Sequence, residues 1–305
     1  MKVAVTGSSG FVGGHLSRLL ATEGHELVLI SRRNGIDVTN AGAMAQAFKG
    51  CQAVIHCAGI NREIGKQTYS AVHVEGTRTV INCAERAGVS KVVFMSFLRA
   101  RPDCGSAYHE SKWAAEEIVR ASTLDYTVVK AGMTYGRGDH MLDHLSHSLY
   151  TIPIFATVGI VEKPIRPLAI QDLLEVLRTC AVDSRLSRQT VAVVGAEELL
   201  LSQAVHRVAR ILGKRVFVVR CPITIQRVLA QLFEWTMTIP LIAKAQVRIL
   251  SEGVVEPATR CDPLPADLMP QQNFDERNIR AGLPPPGRFR VQDLRVCSGS
   301  LSRKY

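Results

Sequence analysis

The sequence predicts an α/β fold, a doubly wound parallel sheet with a smaller C-terminal lobe. Short apolar runs rich in β-branched residues alternate with segments of helical period, the pattern of strands covered by helices. A glycine cluster punctuates the first strand-to-helix junction. With 305 residues, 47% hydrophobic and 21% charged, the chain can bury one large core or a core with an appended lobe.

Strands are expected at Val3–Thr6, Glu26–Ser31, Ala53–Cys57, Lys91–Ser96 and Tyr126–Lys130, near-continuous apolar runs of the kind buried on both faces. Between them, Phe11–Thr22, Gln67–Ala87 and Ser106–Ala121 carry apolar residues three and four apart and predict helices covering the sheet. Beyond Met133 the alternation loosens, with turns at Pro153, Pro164 and Pro167 before a helix over Gln171–Ala181. Thr190–Val194, Ser202–Leu212 and Arg215–Val219 repeat strand, helix and strand, and Pro222–Leu250 forms a long amphipathic stretch. From Pro257 the composition turns to Pro, Arg, Asp and Gln. The expected division is a core over 1–133, a substrate lobe over 134–256 interleaved with the last core elements, and an extended or partly disordered tail over 257–305.

The net charge of +10 suits an anionic partner, but the basic residues are spread along the chain without a run or interleaved aromatics, which argues against nucleic acid. The eight cysteines are scattered singly, with no CxxC pair and no zinc spacing, as thiols in a reducing compartment would be. Met1 leads directly into an apolar strand and leaves no room for a signal peptide, so the expected location is cytoplasmic. Arg227, Glu234, Pro240 and Lys244 interrupt the most apolar stretch, so no spanning helix is expected. Contact with a membrane surface or a protein complex through 222–250 remains open, including a peripheral place at a membrane complex.

Thr6-Gly7-Ser8-Ser9-Gly10-Phe11-Val12-Gly13 begins where the first strand ends and opens into a helix. Gly7 suits the tight turn, Gly10 lets backbone approach a pyrophosphate, and Gly13 lets helix pack on strand. The helix N-terminus then presents free N–H groups to an anion. This predicts a Rossmann-type dinucleotide site. An NAD-preferring site carries Asp or Glu at the end of the second strand, where Ser31 stands here, followed by Arg32 and Arg33. A hydroxyl beside two guanidiniums suits a 2′-phosphate, so NADP is favoured, with NAD the alternative.

Tyr108 and Lys112 sit four apart on an expected helix and share a face. An ammonium beside a phenol favours proton exchange with a substrate hydroxyl or carbonyl. With these residues in hand, the chain resembles the short-chain dehydrogenase/reductase superfamily, in its extended or atypical epimerase/dehydratase-like branch. His56-Cys57-Ala58-Gly59 is similar to that family's loop after the third strand, and Val74-Glu75-Gly76-Thr77 to its NVxGT helix segment, with His73 where Asn is usual. Gly88–Ser96 is similar to the lead into the active-site strand, and Val129–Gly136 to the RPxxxYG stretch with Lys130 and Ala131 in place of Arg-Pro. Met95-Ser96-Phe97 and the short loop to Tyr108 look like the branch holding the nucleotide-binding accessory subunit of respiratory complex I.

The resemblance implies catalytic roles for Tyr108, Lys112 and Ser96. It implies cofactor contacts from Gly7, Ser9, Gly10, Phe11, Val12 and Gly13, from Ser31, Arg32 and Arg33, from Asp37 and Val38, from Cys57, Ala58 and Gly59, and from Lys112. Asp37 serves the adenine amine or caps a turn. Phe97 departs from the Ser or Thr that orients the substrate in active members, and Ser96 can replace it only if the strand end shifts, since neighbouring strand residues face opposite sides.

Three readings follow. One is an NAD(P)-dependent epimerase-, dehydratase- or reductase-like enzyme exchanging hydride at a carbinol carbon of a nucleotide sugar or other carbonyl substrate. A second anion site at Arg137, Lys163 and Arg166 would serve a nucleotide sugar. Another is a non-catalytic NADP(H)-binding accessory or assembly subunit. The last is RNA binding on the same scaffold, which draws on charge alone. His140 and His144 have i, i+4 ligand spacing, but Asp139, Asp143 and His147 around them read as an exposed polar face, and no metal is expected. Glu116 and Glu117 read as solvated helical partners.

Overall fold

The computed structural model describes residues 1–236 and 244–289. Strand β1 (Lys2–Thr6) sends Val3 and Val5 to one face and Ala4 to the other, and all three are fully buried. It pairs in parallel with β2 (Glu26–Ile30) and with β3 (Ala53–His56). β4 (Lys91–Phe97), β5 (Asp125–Ala131) and β6 (Gln189–Val193) continue the sheet, giving the parallel order β6-β5-β4-β3-β1-β2 among the described residues. The order reverses between β1 and β3, which opens a crevice at their carboxyl ends.

Helices cover both faces. α1 (Phe11–Thr22) buries Val12, Leu16 and Leu20, spaced four apart, in the apolar layer that holds Val3, Val5 and Ile55. α2 (Ala41–Ala47), α3 (Gly76–Arg86) and α4 (Ala107–Arg120) pack on the opposite layer with Ala4, Val54 and Val92. α5 (His140–Thr151) belongs elsewhere, and α6 (Ile170–Val182) returns to lie beside α1. The helix expected over Gln67–Ala87 begins with a π-helical stretch, Ser70–Glu75, before α3. Widened turns of this kind often aim a side chain at a functional site.

The contacts divide the chain into two units, and the division is finer than the boundaries expected from composition. The sheet unit holds residues 1–134, 168–196 and 256–272; the second holds 135–167, 197–255 and the residues from 273. Residues 257–272, expected in an extended tail, run along the edge of the sheet. The Asp262 amide donates to the Thr190 carbonyl at 2.7 Å, and its carboxylate accepts the Thr190 amide at 2.9 Å. Leu268 and Leu264 enter the apolar layer. An edge strand left bare would present unpaired backbone groups, and this segment covers them. The tail's residues 290–305 and residues 237–243 of the amphipathic stretch lie outside the described residues.

In the second unit, Ile154–Val158 and Phe217–Cys221 pair in parallel, the latter two residues beyond the strand expected at Arg215–Val219. α7 (Leu201–Ile211), α8 (Ile223–Thr236), α9 (Lys244–Glu252) and α10 (Glu276–Gly282) complete it. The Tyr135 hydroxyl donates to the Asn273 carbonyl at 2.8 Å, and Arg207 grips Glu197 through both nitrogens while donating to the Phe274 carbonyl. No helix among the described residues is long and apolar enough to cross a membrane.

Candidate functional site

The glycine loop closes the carboxyl end of β1. Gly7 has φ +68°, and a β-carbon there would stand 2.8 Å from the Ala58 amide nitrogen, so the turn requires glycine on both conformation and space. A β-carbon on Gly13 would stand 2.3 Å from the Gly7 carbonyl oxygen, because α1 starts directly against the loop. The Gly10 amide donates to the Gly7 carbonyl at 2.9 Å and holds the turn shut. No side chain caps the first turn of α1, whose amides, on Phe11, Val12 and Gly13, have no partner inside the helix. Ser8 Oγ is buried without a hydrogen-bond partner among the described residues, and Ser9 is exposed at the mouth. A cradle with uncapped amides, a spare hydroxyl and no room for side chains fits a dinucleotide diphosphate.

His56, at the end of β3, ties this loop to its neighbours. Its Nδ1 lies 2.6 Å from Thr6 Oγ1 and its Nε2 lies 3.0 Å from Thr77 Oγ1 on α3, while Thr6 Oγ1 accepts the Ala58 amide at 3.3 Å. Burial, reinforced by the Lys112 charge, pushes its pKa down to about 3, so the ring is neutral. Cys57, packed into the apolar layer, has its thiol pushed up to about 12 by burial. Among the described residues seven cysteines are free.

At the end of β2, Ser31 is buried and its hydroxyl accepts the Asn34 amide at 3.3 Å, opening a short 3-10 turn that carries Arg32 and Arg33. Both arginines are exposed, and neither faces a carboxylate among the described residues. Asp37 closes its own turn, accepting the Thr39 amide at 2.9 Å and hydroxyl at 2.8 Å. Val38 is buried, and a β-carbon on Gly76 would stand 2.9 Å from its methyl carbon.

α4 brings Tyr108 and Lys112 to one face. Lys112 is buried, donates to the Met95 carbonyl at 3.2 Å and lies over the Phe94 ring. Burial lowers its pKa to about 8, opposed by Cys57 and Glu116, so it stays mostly charged at neutral pH. Tyr108 is walled by the rings of Tyr69, His73, Phe97 and His109, with centroids 5.5–5.8 Å away. Burial, reinforced by Tyr69, raises its pKa above the ordinary phenol value and keeps the proton on.

His73 was legible only as a departure from Asn; the structure gives it two anchors. Its Nε2 accepts the Ile60 amide at 3.1 Å, so Nδ1 carries the proton and donates to Ser111 Oγ at 2.9 Å. Ser111 in turn donates to the Tyr108 carbonyl at 3.0 Å. Burial pushes the His73 pKa down to about 2.

Ser96 is not brought to Tyr108. Its hydroxyl donates to Glu116, and Phe97, on the opposite face of the strand, takes the position against the tyrosine. Glu116, expected as a solvated partner, is fully buried: Lys130 donates to both its oxygens at 2.8 and 3.0 Å, and Arg120 to one at 2.7 Å. Lys130 explains the correction, because a buried ammonium requires a buried carboxylate.

Arg137, Lys163 and Arg166 all fall in the second unit. Asp139, expected on an exposed face, is buried as the N-cap of α5, accepting the Leu142 and Gly136 amides at 2.7 Å, and burial raises its pKa to about 6. The His147 ring lies tilted beside Phe289, with centroids 5.7 Å apart, and among the described residues no three His, Cys, Asp or Glu side chains come together as metal ligands.

The model of the NAD dependent epimerase/dehydratase family matches residues 3–152. A ceramide reductase of Caulobacter vibrioides is 31% identical over 151 residues, covering 45% of this chain and 47% of that protein. The mitochondrial NADH-ubiquinone oxidoreductase 40 kDa subunit of Neurospora crassa is 18% identical over 275 residues, covering 84% and 72%. The chain spans about half, or less, of the length of the first of the curated relatives it matches. The solved structure of MoeE5 in complex with UDP-glucose and NAD shares the fold, with a TM-score of 0.63 at 20% identity over 73% of this chain and 85% of that one.

Proposed function

We propose that this chain, whose residues 3–152 match the model of the NAD dependent epimerase/dehydratase family, binds NADP(H) at the mouth of β1 and reduces a carbonyl substrate with Tyr108 as proton donor. The observation that carries the reading is the glycine cradle of Gly7, Gly10 and Gly13 beneath an uncapped helix N-terminus. Ser9, Phe11 and Val12 would meet the diphosphate, Cys57, Ala58 and Gly59 would line the ribose side, and Asp37 and Val38 the adenine side. Ser31, Arg32 and Arg33 favour a 2′-phosphate.

The cofactor supplies a hydride from its nicotinamide. Tyr108 would give its proton to the carbonyl oxygen of the substrate as that carbon is reduced to a carbinol. Reduction needs a phenol that starts protonated, which agrees with the raised Tyr108 pKa. Lys112 holds the ribose and steadies the phenolate as it forms. Ser96, engaged by Glu116, positions the core behind the site and stands apart from the chemistry.

A second reading, a non-catalytic cofactor-binding accessory subunit, is favoured by Phe97 standing against Tyr108. Its likeness in sequence to the 40 kDa oxidoreductase subunit points the same way. Deuterium transfer from C4-labelled NADPH to a panel of long-chain ketones and keto-sugar nucleotides separates the two. Label appearing in a carbinol product, and vanishing in Tyr108→Phe, supports the enzyme; NADPH retained through purification without exchange on any substrate overturns it in favour of the subunit.

A further inference from the structure

The second unit turns an apolar face outward. Of the exposed large hydrophobic residues described, Ile225, Val228, Leu232 and Trp235 all lie on α8, with Val228 69% and Trp235 68% exposed. At 100° per residue they fall within one stripe. The opposite side of α8 is also apolar: Ala230 is buried with Val158 and Val247, and Gln226 there spends its amide on the Ala156 and Thr157 carbonyls at 3.3 and 3.4 Å. A helix apolar on both sides normally lies under cover. The strand that leads into α8 repeats the pattern, with Phe217 69% and Val219 45% exposed.

The charge around this face is mostly positive; Glu234, the one carboxylate on α8, accepts the Lys244 amide at 2.9 Å and lies 3.8 Å from its ammonium. Between Leu199 and Phe233 the sequence contains no Asp or Glu, whereas Lys214, Arg215, Arg220 and Arg227 stand exposed among the apolar residues. Four exposed cations beside a single carboxylate that is already paired call for an anionic partner, and a second copy would bring the same cations face to face. A surface with an apolar interior and an anionic skin satisfies both features, because rings and aliphatic chains enter the acyl boundary while cations stay at the headgroups. We propose that α8 and the strand before it seat this chain on an anionic lipid bilayer, lying in its surface without crossing it.

The full chain is tested by sedimentation with vesicles of phosphatidylglycerol mixed with phosphatidylcholine, and with phosphatidylcholine alone. The expected result is binding to the mixed vesicles that added salt weakens, and at least about ten-fold weaker binding to phosphatidylcholine alone. Val228→Asp and the pair Arg220→Glu/Arg227→Glu alter exposed side chains, leave the circular dichroism unchanged, and each weaken binding by at least about ten-fold. Equal binding to both vesicles, no binding to either, or unchanged binding by both variants overturns the proposal. So does a dimer of the wild-type chain that Val228→Asp converts to monomer, since a second copy would then own the face.

Discussion

A β-carbon on Gly59 would stand 3.2 Å from the Lys112 ammonium nitrogen and 3.4 Å from His73 Nε2. The loop after β3 is therefore shaped around the lysine of α4, and the glycine leaves room for its ammonium to reach the Met95 carbonyl. Gly59→Ala meets the flexible end of a side chain, so the fold should yield with little loss of stability. The expected effect is on the site: cofactor affinity falls by about ten-fold, equal to about 1.4 kcal/mol, while the melting temperature stays close to wild type. Titration with NADPH beside a thermal melt checks both parts.

Gly7→Ala is the opposite case. The new methyl would meet the Ala58 backbone at 2.8 Å with φ at +68°, and a left-handed non-glycine residue alone costs about 1–3 kcal/mol. Denaturant unfolding should show a loss of at least about 2 kcal/mol, with NADPH binding abolished.

Cofactor choice rests on Ser31, Arg32 and Arg33. Charge-assisted bonds to a 2′-phosphate are worth about 1.5–3 kcal/mol each. Arg32→Ala/Arg33→Ala should cut NADPH affinity at least about ten-fold and leave NADH affinity unchanged, and Ser31→Asp should reverse the preference. Parallel titrations with the two nucleotides read this directly. Equal losses for both would remove the arginines from the site.

Ser96 and Glu116 separate stability from chemistry. Glu116→Gln leaves the Lys130 ammonium buried against a neutral group and should cost about 3–5 kcal/mol. Ser96→Ala removes one bond to the same carboxylate, costs about 1–2 kcal/mol, and leaves kcat unchanged. A Ser96→Ala variant that folds but loses turnover would return the serine to the chemistry.

Much of this was legible in the sequence, and the reason is period. The parallel strands are apolar on both faces and α1, α4 and α6 carry their stripes openly, so β1 to β6 emerge within a residue or two of expectation. That Tyr108 and Lys112 share a face follows from helical spacing, while their place in the site comes from the family resemblance. What stayed hidden depends on partners distant in the chain. Nothing local tells Glu116 that it will face Lys130, fourteen residues on, across a helix and a strand. Nor does the sequence reveal that His56 will bridge Thr6 and Thr77, or that the Pro-rich run near Asp262 will cover the edge of β6. α2 is too short to show a period, and α10 sits in a composition that suggests no helix at all.

Two of the buried histidines, His56 and His73, set an acid limit on stability. His56 titrates near about 3 and His73 near about 2 in the folded chain, against about 6.5 when unfolded. The folded state therefore binds fewer protons below that value. Stability is full above about pH 6.5 and falls as the pH drops, by up to about 1.4 kcal/mol per pH unit for each ring. His73→Asn should lower the slope between about pH 6 and pH 4, measured by denaturant unfolding. An unchanged slope would mean that the ring takes up its proton without unfolding.

The most direct test is calorimetric titration of the full chain with NADPH, repeated on Gly13→Ala, whose methyl would strike the Gly7 carbonyl. One saturable site with a raised melting temperature, absent from the variant, is the result this account predicts. A chain that takes up no heat from NADPH or NADH and melts at the same temperature in their presence would contradict it.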